Sequence, residues 1–193
     1  MTNTETSTDS AAAYASLSAG TATGERADLL ESLRSARYFL RHTVDGLTDE
    51  QARLTPTASA LCLGGLIKHV SATEKAWAAF VERGTEAMPS IEGEYDPESP
   101  AVKEWANEFK LLPDQTLADV LAAYEEVAAH TDALVESLPD LDLSHALPSA
   151  PWFAPGARRS ARRVFQHIVA ETAQHSGHAD IIRETIDGQK TMG

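Results

Sequence analysis

Cysteine is almost absent. Cys62 is the only one, so no intrachain disulfide can form and the framework of a small cross-linked secreted scaffold is excluded. Basic residues are also scarce: 16 Lys and Arg stand against 29 Asp and Glu, for a formal charge of −13. So negative a surface repels phosphate backbones and anionic headgroups, which excludes nucleic acid and membrane surfaces as expected partners. No apolar run approaches the roughly 20 residues of a membrane span. Residues 1–24 contain no lysine or arginine and no apolar stretch, so they lack both parts of a secretory signal. Their Thr, Ser and Ala content predicts a disordered tail. A reducing, cytoplasmic setting is the expectation. No serine elbow, P-loop or dinucleotide fingerprint is present.

The remaining residues, 25–190, are expected to fold as one domain. Leu29, Leu30, Leu33, Ala36, Leu40 and Val44 recur at helical spacing and predict a first helix over about 25–45, stopped by Gly46. Thr48 to Gln51 has capping-box form and predicts one short turn. A second helix is expected from Leu63–Gly65 to Arg83, a third from Thr116 to Leu138, and a fourth from about Arg159 to Ile186, before Gly188. A short amphipathic piece is expected over Val102–Leu111. The connection through 85–100 and the stretch 139–156 are rich in proline and glycine and long for a compact domain. Four long amphipathic helices without β-alternation predict an all-α four-helix bundle with long crossover connections. Those long connections permit the second and third helices to run parallel.

One helical face departs from the usual apolar pattern. Taking Glu171 as origin and about 100° per residue, His175 falls near +40°, His178 near −20° and His167 near −40°. A soluble helix ordinarily gives so narrow a stripe to core residues. Here it carries three imidazoles and a carboxylate, side chains that bind divalent metals. Glu171 and His175 lie about 6 Å apart along the axis, and His175 and His178 about 4.5 Å, so either pair can chelate. His167 and His178, about 16 Å apart, cannot share one ion. Two ligands from one helix do not complete a site. His69, in the middle of the second helix between Ile67 and Val70, is the candidate third. His167 is expected to be structural, and Cys62 to be a small buried side chain. Arg158, Arg159, Arg162 and Arg163 form the basic cluster, at the expected start of the fourth helix. They make either a solvated surface or an anion-binding rim, and Trp152-Phe153 beside them can wall a pocket.

Two stretches carry a resemblance to a known family. Gly65-Leu-Ile-Lys-His69-Val-Ser-Ala-Thr-Glu74-Lys-Ala-Trp77 resembles the second-helix motif of the DinB/YfiT-like superfamily. His167-Ile-Val-Ala-Glu171-Thr-Ala-Gln-His175-Ser-Gly-His178-Ala-Asp180-Ile-Ile-Arg183-Glu184 resembles its fourth-helix motif. The form is similar to the actinobacterial branch near the mycothiol-dependent maleylpyruvate isomerase domain, over about Asp28 to Gly188. The resemblance implies a divalent metal (Zn, Ni or Fe) on one second-helix histidine and an i,i+4 pair of the fourth helix. By motif these are His69, Glu171 and His175, with His178 a possible substitute ligand or base. It also implies a low-molecular-weight thiol, mycothiol or similar, as cosubstrate. The isomerase has a further C-terminal domain that contributes to its active site. This chain stops at Gly193, so maleylpyruvate isomerisation itself is not expected.

The leading expectation is a metal-dependent thiol S-transferase acting on a small electrophile, with Trp152, Phe153, Arg158 and Arg159 helping to hold substrates. A metal hydrolase with metal-bound water as nucleophile and a non-catalytic metal- or ligand-binding bundle are the alternatives. A homodimer is left open.

Overall fold

The computed structural model describes residues 16–18, 20–88 and 98–191. The tail expected over 1–24 lies mostly outside that set. Its described end includes a single 3-10 turn at Ser16–Ser18, where the Leu17 carbonyl accepts from Arg34. The helices are α1 (Glu25–His42), α2 (Asp49–Arg53), α3 (Leu63–Arg83), α4 (Pro100–Glu108), α5 (Leu117–Ser137) and α6 (Ala161–Asp187). A two-stranded antiparallel ribbon, β1 (Ser144–Ala146) and β2 (Arg158–Ser160), precedes α6.

Local chemistry accounts for most of the boundaries. Thr48 forms the expected capping box with Gln51 at the start of α2. Thr116 and Ser160 accept from the amides of Asp119 and Arg163 and so cap α5 and α6. Ser99 caps α4, with Pro100 in its first turn. Gly188, at φ 80°, takes the left-handed residue that ends α6. The short α4 runs from Pro100 to Glu108, ahead of the expected 102–111, and two boundaries of the long helices also differ from the periodicity. α1 stops at His42, because residues 43–46 turn before Gly46 at φ 72°. α6 begins at Ala161, because Arg158–Ser160 pairs with Ser144–Ala146 in a ribbon too short to show alternation.

α1 packs against α5 and α6, and α3 packs against the same two. The contacts also give the directions. Arg26, at the start of α1, donates to the Val135 and Leu138 carbonyls at the end of α5, and Arg41 pairs with Glu125, so α1 and α5 are antiparallel. Arg162 meets Glu25, while Arg183 reaches the Thr43 and Asp45 carbonyls, so α1 and α6 are parallel. Lys68 meets Gln115 and Glu82 meets His130, so α3 and α5 are parallel. The bundle is therefore up-down-down-up, with the second and third long helices running the same way.

The core has two apolar clusters. One, towards the start of α1, includes Leu30, Leu33, Phe80, Val135, Phe165 and Ile168. The other includes Leu40, Leu66, Ile67, Val70, Tyr124 and Ile182. A polar layer separates them. Arg37 is buried there and donates to both Glu74 oxygens, at 2.5 and 3.2 Å, and to Asp132 at 2.7 Å. Burial alone would lower the Arg37 pKa. The Glu74 and Asp132 charges outweigh that, and the guanidinium is held above its ordinary value.

The return from α3 to α5 is pinned to α3. Lys68 Nζ donates to the Asn107 and Lys110 carbonyls at 3.1 and 2.7 Å. A Cβ on Gly65 would lie 2.0 Å from the Phe109 carbonyl oxygen, and one on Gly64 would press on Leu111. The glycine pair is thus the seat on which the crossover rests. Gly65→Ala is expected to cost about 1–3 kcal/mol through overpacking, read as a lower melting temperature. A variant that melts with the parent would show that the crossover moves aside freely.

Candidate metal centre

α3 and α6 are antiparallel neighbours, and their facing turns bring the histidine stripe against His69. His69 Nε2 lies 3.4 Å and His175 Nε2 3.3 Å from Glu171 Oε1. One donor atom from each of the three residues falls within 4.8 Å of the others. Ligand atoms about 2.1 Å from one ion, at the tetrahedral angle, are about 3.4 Å apart. The spacing and the two-nitrogen, one-oxygen donor set therefore fit a single divalent ion, with room left for a further ligand.

The surroundings orient both rings. His69 is buried and stacks on Phe109, with centroids 4.0 Å apart. Its Nδ1 has no hydrogen-bond partner among the described residues, and the nearest carboxylate oxygen, Glu108 Oε2, is 3.7 Å away. His175 Nδ1 lies 3.4 Å from His178 Nδ1. If His175 donates there, its Nε2 lone pair is left for the ion, since one ring nitrogen carries the proton. His178 thus sits against the other nitrogen of His175 rather than beside the Glu171 carboxylate. Burial first, then the neighbouring His69, holds the His175 pKa below the usual histidine value, which keeps the ring in its ligating neutral form.

The stripe does not act as one unit. His167 lies a turn before Glu171 and packs edge-on against Trp77, with centroids 5.0 Å apart. Burial and then the Arg159 charge hold its pKa down. It lines a cavity of about 450 Å³ that opens beside His69, with Trp77, Trp105, Trp152 and Phe153 as aromatic walls and Arg159 at the far end. Arg158 is not in this cavity. Paired residues of a ribbon share a face and successive ones alternate, so Arg158 points the opposite way from Arg159 and donates to the Ser144 carbonyl at 2.6 Å. Cys62 is buried, its Sγ 3.7 Å from the Phe109 carbonyl. Glu108 and Phe109 were not among the expected site residues. They reach His69 only through the crossover, and a sequence has no local signal for that approach.

The fold and the cluster define a class: an up-down-down-up bundle presenting a His–Glu–His set beneath its long crossover. The crystal structure of a conserved protein from Enterococcus faecalis shares the fold, with a TM-score of 0.60 and 18% identity, over 87% of this chain and all of that one. No curated protein matches the chain. Residues 28–188 match the family model described as mycothiol-S-transferase, and the chain belongs to that family, within the DinB/YfiT-like superfamily. Among the described residues no helix is long and apolar enough to cross a membrane.

Proposed function

We propose that this chain is a metal-dependent S-transferase that joins the sulfur of a low-molecular-weight thiol, mycothiol or a close relative, to a small electrophile. The observation that carries the reading is the convergence of His69, Glu171 and His175 at the edge of an aromatic-walled cavity, in a chain of the mycothiol S-transferase family. A divalent ion held by those three side chains would lower the pKa of a bound thiol and favour its nucleophilic thiolate form.

The protein's own residues supply the rest. Phe109 stacks on the His69 ring, the Glu108 carboxylate lies 3.7 Å from its Nδ1, and His178 Nδ1 faces Nδ1 of His175 at 3.4 Å. Trp77 and Phe153 present apolar surface, about 12 Å along α3 from His69, against which one end of an elongated electrophile can lie. In the transfer, a sulfur–carbon bond forms as the thiol proton leaves. The displaced electron pair departs with a leaving group, or moves along a double bond whose far carbon takes up a proton. The hydrolase alternative needs a base beside the ion, and the Nδ1 of His178, the expected base, faces His175 Nδ1 instead.

Calorimetry of mycothiol against the protein before and after chelator treatment tests the reading. Thiol should bind the metal-loaded protein, release a proton on binding, and fail to bind the stripped protein. Equal binding to both forms, or to neither, would remove metal-activated thiol transfer.

A further inference from the structure

Three arginines at this end of the bundle have partners, and a fourth, Arg163, is exposed to solvent. Arg26 donates to backbone carbonyls, Arg158 to Ser144, and Arg162 to Glu25 and Asp142. Arg159 has no carboxylate partner among the described residues, in a chain whose formal charge is −13. Its Cζ lies 4.6 Å from the centroid of Trp77 and 5.3 Å from that of Phe153, so two aromatic faces hold the guanidinium. One terminal nitrogen, Nη1, is shielded from solvent and donates to nothing among the described residues. The pairing of β2 with β1 places His145 opposite Arg159 and fixes its backbone. A guanidinium is always charged and presents a fork of donors matched to a carboxylate. Leaving such a donor shielded and unpaired is costly unless something supplies the acceptor.

The position within the cavity sets the shape of that ligand. Arg159 sits over Trp77, and His69 lies eight residues earlier on α3, about 12 Å along the axis. A molecule anchored at Arg159 must therefore be elongated for its other end to approach the His69, Glu171 and His175 donors. Its middle runs between aromatic walls.

We infer that this cavity takes a carboxylate-bearing ligand with a flat, apolar, elongated body, whose carboxylate is held by Arg159 and whose opposite end points towards the His69–Glu171–His175 cluster. The inference deepens the S-transferase reading and rests on it for one point only, that the ligand is the electrophile accepting the sulfur. Anion recognition at Arg159 stands apart from the thiol chemistry.

The probe is trans-cinnamate, compared with cinnamamide, which has the same body and no charge. Binding is followed by tryptophan fluorescence, with protein as purified and after chelator treatment. The acid should bind on the order of tenfold more tightly than the amide, as expected of a hydrogen bond to a charged group. The preference should survive chelation. Arg159→Met should abolish the preference and leave amide affinity within about twofold, while Arg159→Lys should keep part of it. Arg159→Gln serves in place of Arg159→Met if circular dichroism shows the latter unfolded. Equal binding of acid and amide to the parent overturns the inference. So does a preference that persists without the arginine, or one that chelation removes, because the carboxylate is then held elsewhere or by the metal. Mycothiol calorimetry on the same preparations separates the two readings. An intact acid preference without thiol binding sinks the transfer reading alone, and the reverse sinks only this inference.

Discussion

His175→Ala and His69→Ala should each lose most of the bound divalent metal, measured by elemental analysis of protein purified without a nickel column. Each removes one of three protein donors whose facing atoms lie within 4.8 Å, and two donors do not hold an ion against buffer and dialysis. Glu171→Gln should keep the fold and weaken the metal, because a neutral amide is the poorer ligand. Glu108→Gln probes the next layer. If its carboxylate orients His69 through Nδ1, its loss should weaken metal affinity by roughly 10-fold with no change in melting temperature. His167→Ala is the contrasting case. The ring packs on Trp77 a turn away from the cluster, so metal content should stay near that of the parent. Loss of metal from His167→Ala together with retention in His69→Ala would show that the ion sits elsewhere on α6.

The other large effect is expected in the polar layer, far from any proposed chemistry. Arg37→Ala leaves the Glu74 carboxylate, whose side chain is fully buried, without its cation. Glu74→Ala leaves Arg37 with Asp132 alone. Breaking a buried pair by removing one partner costs about 3–5 kcal/mol. For a domain of this size that corresponds to a fall of roughly 6–20 °C in melting temperature. The smaller loss should follow Glu74→Ala, because Asp132 still faces the guanidinium. The double variant Arg37→Met, Glu74→Leu replaces charge with apolar volume and should recover much of the loss. Single variants that melt within a degree of the parent would mean that the layer is solvated and the two apolar clusters are not sealed.

The fold was legible where a single helix carries its own signal. The apolar spacing of Leu63–Arg83, the Thr48 capping box and the Gly188 stop can each be read within a few turns of chain, and all stand in the structure. The ribbon was not legible, because three residues cannot display alternation and its pairing joins positions 12 to 16 apart across a proline-rich loop. The same limit applies to the cluster. The angular positions of Glu171 and His175 follow from helix geometry, so their juxtaposition was visible in advance. That His69 faces them depends on how α3 docks on α6, to which its place among apolar neighbours and the motif resemblance pointed without giving the docking itself. The central ion pair was missed for a related reason. Arg37 and Glu74 each sit among apolar neighbours on their own helix, and nothing local says that they meet. Gly64-Gly65 has no local signal of its role, because that role lies in a backbone that arrives more than forty residues later.

The parallel pair of middle helices has an architectural consequence. A bundle that alternates direction can close every corner with a few residues and leave its flanks bare. Here the chain leaves the end of α3 and must travel the length of the bundle before α5 can begin, and it must then cross one end diagonally to start α6. Both detours pass the same flank. The first brings Trp105, Glu108 and Phe109 over His69, and the second brings Trp152, Phe153 and Arg159 to the far side of the opening. The recess is thus roofed by connecting segments and floored by helices. Replacement of the roof can change which molecule is admitted while the buttressed floor keeps its shape, so one frame can serve many guests.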